Sequence, residues 1–67
     1  RRSFKESKEL ERLDNDLPAL EETKQRLELA IASGRGDLSS LSVELAALLD
    51  TLHASEERWL ELSELEP

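Results

Sequence analysis

Apolar residues fall at alternating three- and four-residue steps on both sides of one glycine-containing break. Before the break the run is Leu10, Leu13, Leu17, Leu20, Lys24, Leu27, Ile31; after it the run is Leu38, Leu41, Leu45, Leu48, Leu52, Ser55, Trp59, Leu62. Steps of this kind line up side chains as one stripe along an α-helix. The break is Ser33-Gly34-Arg35-Gly36-Asp37, a connection short enough to reverse the chain between antiparallel helices. Two helices with one stripe each bury them against each other. The predicted fold class is therefore all-α, a single coiled-coil domain over residues 1–67 built as an antiparallel intramolecular hairpin. A rod of this shape encloses no pocket, so the segment is read as non-catalytic, with contact as its work.

The elements expected are helices at about 3–14, 18–33 and 38–65, with a turn at 33–37. Ser3 precedes Glu6 at capping-box spacing. Pro18 has no N–H for the carbonyl of Asp14, and its ring crowds that turn. A kink or one-turn break is expected there, with Asp16 capping the second piece. The leucine spacing nonetheless runs through Pro18 in phase, so both pieces should face the same partner helix. Glu22 with Arg26 and Glu21 with Lys24 have the spacing of favourable intrahelical pairs. Lys24 and Ser55 are the weak layers of the seam, and Lys24 can lay its stem along the seam with its ammonium in water. Gly34 suits a left-handed helix end and Asp37 the following N-cap. The third helix, ~40 Å long, matches the first two laid end to end. Facing residues then have numbers summing to about 70, which puts Leu27 near Leu45 and Leu10 near Leu62.

Composition narrows the class. Of 67 residues, 37% are charged, none is cysteine, and Phe4 and Trp59 are the only aromatics. A chain this short buries only about 60% of its unfolded surface, so very regular helix packing has to supply its stability. Without cysteine a disulfide framework and a thiolate metal site are both excluded. No apolar run approaches the ~20 residues of a membrane span, and no signal peptide is visible. The chain opens on Arg1-Arg2 without a methionine, which predicts a segment of a larger protein.

The net charge is −7, which argues against indiscriminate phosphate binding. Its distribution is uneven. Arg1, Arg2, Lys5, Lys8 and Arg12 account for five of the nine Lys and Arg residues. Arg1, Lys5, Lys8 and Arg12 share one helical face, the best candidate surface for phosphates. The plainer reading is a solvated face, neutralised in part by Glu56, Glu57, Glu61, Glu64 and Glu66 once the hairpin closes. Arg35 at the turn, with Lys24 and Arg26 behind it, is a second candidate contact. Arg35-Gly36-Asp37 also spells an adhesion tripeptide, but the turn and the helix cap require glycine and aspartate in any case. His53 with Glu56 and Glu57 is too sparse a set for a metal site. Glu21-Glu22 and Glu56-Glu57 point apart on a helix and lack the pocket that acid–base catalysis needs. Trp59 is read as a seam anchor rather than a base-stacking platform.

The motifs at the two ends carry a resemblance. Ser3-Phe4-Lys5-Glu6, Glu9-Leu10-Glu11, Leu17-Pro18, Leu20-Glu21, then Glu57-Arg58-Trp59 and Leu62, in that order, resemble the C-terminal coiled-coil domain of Uup-type ABC-F ATPases. Phe4 stands where that family has tyrosine, and the turn is shorter. The resemblance implies an accessory C-terminal domain contacting DNA or ribosomal RNA, through the basic N-terminal face and the tip (Arg1, Arg2, Lys5, Lys8, Arg12, Arg26, Arg35). It also implies upstream ATPase domains in the same chain, with ATP and magnesium bound there. It further implies a cytoplasmic protein with no membrane domain. The segment itself is expected to be monomeric and to hold no cofactor. Two alternatives share the hairpin: a purely structural or protein-interaction element, and the RNA-contacting arm of an aminoacyl-tRNA synthetase.

Overall fold

A computed structural model describes residues 1–66. Two helices, α1 (Phe4–Ala32) and α2 (Leu38–Ser63), pack antiparallel into a rod of 47 × 15 × 15 Å. The all-α hairpin expected from the leucine runs is the observed architecture. Both helix starts are capped as their sequences require. Ser3 Oγ accepts from the Glu6 N–H at 3.1 Å, and the Ser3 N–H donates to Glu6 Oε1 at 2.9 Å, closing a capping box. Asp37 Oδ2 accepts from both the N–H and the hydroxyl of Ser40. Those hydrogen bonds favour the ionised carboxylate. The backbone N–H of Ser3 holds Glu6 below its ordinary pKa, and the Ser40 hydroxyl and N–H do the same for Asp37.

The turn is built by two glycines. Gly34 (φ 70°) and Gly36 (φ 71°) both take left-handed angles, which cost a side-chain-bearing residue and not glycine. At Gly34 the chain closes α1 by donating N–H from Gly34 to Ile31 O and from Arg35 to Ala30 O. That pair of bonds satisfies carbonyls the last helical turn would leave open.

Three expectations are corrected. The one-turn break at 14–18 is absent, and the separate helices over 3–14 and 18–33 are one helix of 29 residues with Pro18 inside it. Asp16, expected as a cap, is an exposed interior residue. Pro18 removes one hydrogen-bond donor, but the Asp14 residue whose carbonyl loses it is exposed, where water can replace the missing partner. Leu13, Leu17 and Leu20 are all at least half-buried around this point. A break would pull part of that stripe off α2, so tertiary packing outweighs the local penalty. Second, Leu38 is 61% exposed and not part of the seam, because it is the first residue of α2 and α1 ends at Ala32. Third, Arg26 donates to Thr23 Oγ1 at 3.2 Å instead of pairing with Glu22.

Most seam leucines are half-buried, as a two-helix rod dictates. Leu13, Leu52 and Leu62 are the sealed positions, at 6%, 5% and 0% exposure. Lys24 behaves as its position predicts, half-buried with Nζ 3.4 Å from Glu21 Oε1. Ser55 lies beside a shallow cleft of about 270 Å³ lined also by Asp16, Ala19, Leu20, Thr23 and Thr51. Small and hydroxylated side chains leave this layer underfilled. Ser55→Leu is expected to stabilise the hairpin by about 1–2 kcal/mol, since a side chain is added at a half-buried position with space beside it. A urea titration followed by helical circular dichroism checks this; a lower midpoint would show that the layer has no room.

Candidate nucleic-acid interface

The open end of the hairpin, where the N-terminus of α1 meets the C-terminus of α2, is fastened by polar contacts between residues far apart in sequence. Arg58 grips Glu9 with two bonds, Nε to Oε2 at 2.8 Å and Nη2 to Oε1 at 3.0 Å, and reaches Glu61 at 3.3 Å through Nη1. A planar guanidinium meeting a carboxylate in this forked way is directional as well as attractive. The Arg58 bonds hold Glu9 below its ordinary pKa, and the same carboxylate pushes the Arg58 pKa upward. The Trp59 indole N–H donates to Asp14 Oδ1 at 2.7 Å, so Trp59 is half-buried at the edge of the seam with its polar tip spoken for. The Glu9–Arg58 and Asp14–Trp59 contacts bracket the expected pairing sum near 70.

Arg2 belongs to this fastening. Its Nη1 donates to Leu62 O at 3.0 Å, its backbone N–H donates to Glu66 O at 2.7 Å, and its Nε is buried without a partner among the described residues. A cation bonded to the Leu62 carbonyl in the last turn of α2 also suits the negative end of that helix. Arg2, expected with the N-terminal basic face, is thus engaged at the end of α2.

The remaining basic residues of the N-terminal face are open to solvent. Lys5, Lys8 and Arg12 line one shallow cleft of about 260 Å³ together with Glu9, and all three, like Arg1, are exposed. Lys8 lies 3.7 Å from Glu11, both well exposed. Among the described residues Arg1, Lys5 and Arg12 make no ion pair, and no cation of this face pairs with an α2 carboxylate. The neutralisation from α2 expected from the sequence takes the opposite form: α2 sends its one arginine across to quench Glu9, the acid inside the basic cleft. Phe4, 80% exposed, sits under the Lys8 ammonium at 5.6 Å, a cation–π arrangement. Phe4 and Lys8 stand at i, i+4, the one local signal in the sequence for this contact.

Arg26 and Arg35 are exposed but lie toward the turn, so the rod does not bring them together with the N-terminal cleft. His53 Nε2 lies 3.1 Å from Glu57 Oε1, and among the described residues no three His, Asp or Glu side chains converge to hold a metal ion. No helix among the described residues is long and apolar enough to cross a membrane.

The low pKa of Glu9 makes a pH prediction. A carboxylate whose folded pKa lies below its unfolded value stabilises the fold above the unfolded value, about 4.5. That contribution is lost as pH falls through the lower, folded value. Glu9→Gln is therefore expected to be less stable than the wild type at neutral pH, and the gap should close in acid as Glu9 protonates. Thermal melts of both proteins across this range check it; a gap independent of pH would mean that the Glu9 charge is not what matters.

These features define a class: a two-helix antiparallel hairpin with a polar clasp at its open end and a basic cleft beside the clasp. The family model described as ABC transporter C-terminal domain matches residues 1–64, and the chain belongs to that family. No curated protein and no solved structure matches the chain.

Proposed function

We propose that this chain, an accessory domain of an ABC protein, serves an ABC-F type ATPase by contacting nucleic acid through its N-terminal cleft. One observation carries the reading: Lys5, Lys8 and Arg12 are exposed around one cleft whose only acid is held by Arg58. Neutralising Glu9 turns a mixed surface into a cationic one in a protein that is acidic overall. Arg1, exposed in the segment that leads into α1, adds a fourth cation, and Phe4 offers a ring on which an unpaired base can stack. Arg26 and Arg35 supply a second, sparser contact toward the tip. In this reading the domain is a non-catalytic monomer, and ATP and magnesium are handled by cassette domains of the parent protein in the cytoplasm. Family membership favours it over the synthetase-arm alternative.

The test is fluorescence anisotropy with labelled oligonucleotides, double-stranded DNA in one arm and structured RNA in the other, across a salt series. Four phosphate contacts predict a loss of roughly a hundredfold in affinity between about 50 and 200 mM salt. Preference between the arms identifies the nucleic acid. Absence of binding in both arms at the lowest salt would sink the proposal.

A further inference from the structure

The flank of the rod carrying Trp59 has a character unlike the basic cleft. Leu17, Glu56, Trp59 and Leu60 line an open groove of about 380 Å³. Leu60 is 54% and Leu49 41% exposed. Leu49, His53, Glu56 and Leu60 follow i, i+4, i+7, i+11, so they share one face of α2, about 16 Å long. That is three helical turns of mixed apolar and acidic surface. The Trp59 indole N–H donates to Asp14 Oδ1, with the ring in the groove wall.

Charge decides what can cover this surface. From Leu38 onward the sequence holds seven acidic residues and one Lys or Arg, Arg58, and Arg58 is held by Glu9 and Glu61. Asp14 and Glu56 border the groove itself, and Lys24, further along α1, is held by Glu21. A second copy docking through the same face would bring the same acids against these, and an anionic lipid surface would be repelled likewise. An apolar strip with an acidic rim is complementary to a helix that has aliphatic residues at i, i+4, i+7 and lysine or arginine on either side.

We propose that the Leu17–Trp59–Leu60 groove, continued along α2 to Leu49, is a docking site for a cationic amphipathic helix of a protein partner. The site lies on a different flank from the nucleic-acid cleft, and it stands or falls independently of that reading. The partner's leucines would cover Leu60 and Leu49, and its cations would meet Glu56 and Asp14.

Trp59 is the only tryptophan and lines the groove, so its emission reports occupancy directly. The probe is a Leu/Lys peptide of about 14 residues, four turns, with leucines on one helical face. The control is the same composition scrambled so that no face forms. The amphipathic peptide is expected to shift Trp59 emission to the blue with saturation, and the scrambled peptide to do so much more weakly. Leu60→Gln leaves the net charge unchanged and alters an exposed position, so helical circular dichroism should be preserved; it is expected to weaken the titration about tenfold. Val43→Gln, at a position 68% exposed and remote from the groove, should titrate as wild type. An unshifted emission, an equal response to both peptides, or a Leu60→Gln titration equal to wild type would overturn the proposal. So would a blue shift that rises with protein concentration alone, which would make a second copy the occupant.

Discussion

Leu62→Ala is expected to destabilise the hairpin by about 2–5 kcal/mol, the range for truncating a sealed leucine. Leu62 is 0% exposed, while most other seam leucines keep some contact with water. A chain of this size has a total stability of only about 3–10 kcal/mol, so one substitution removes a large share of it. The position compounds the effect. The Leu62 carbonyl accepts from Arg2, so loosening the last turn of α2 also loosens the clasp. A fall in Tm of at least about 10 °C should follow. Val43→Ala, at an exposed position, should leave Tm nearly unchanged. Equal shifts for the two variants would mean that the seam is not where stability resides.

The second large effect is on binding. Reversing Lys5 and Lys8 together to glutamate removes two of the three cations that line the cleft and places two new acids beside Glu9. Each lost phosphate contact should reduce the salt slope by about one, and the new charges repel the backbone. Affinity at low salt is expected to drop by about two orders of magnitude or more, with helical content retained because both positions are exposed. Arg58→Met should weaken binding without touching phosphate at all. It releases the Glu9 carboxylate into the cleft, so its effect should shrink when Glu9→Gln is added. A single-variant effect that persists unchanged in the double variant would mean that Arg58 acts by another route.

The hairpin was legible because its stripe is periodic, and periodicity is a property of short stretches of chain. The caps at Ser3 and Asp37 and the left-handed Gly34 were legible for the same reason, each being decided within four residues. The spacing places both sides of Pro18 on one partner helix, but it does not show that packing of Leu13, Leu17 and Leu20 outweighs the local penalty and keeps α1 in one piece. Leu38 continued the spacing, but spacing does not reveal where α1 ends. The clasp was not legible at all. Glu9 and Arg58 are 49 residues apart, and their meeting depends on the rotation of each helix about its axis as well as on pairing register. The role of Arg2 in the clasp is equally hidden, because nothing local shows that the last turn of α2 arrives beside it. The motifs Ser3-Phe4-Lys5-Glu6 with Glu9, and Arg58-Trp59 with Leu62, lie at opposite ends of the sequence but at one end of the rod. What looked like two family signatures is one three-dimensional feature, the clasp and the cleft it shapes.

The most direct test of the account is the slope of log affinity against log salt for duplex DNA, measured for the wild type and for the Lys5→Glu/Lys8→Glu variant. Cations at Arg1, Lys5, Lys8 and Arg12 predict a wild-type slope of about −3.5. The variant should retain a slope shallower by about two. Parallel slopes for the two proteins would contradict the assignment of the basic cleft as the nucleic-acid contact.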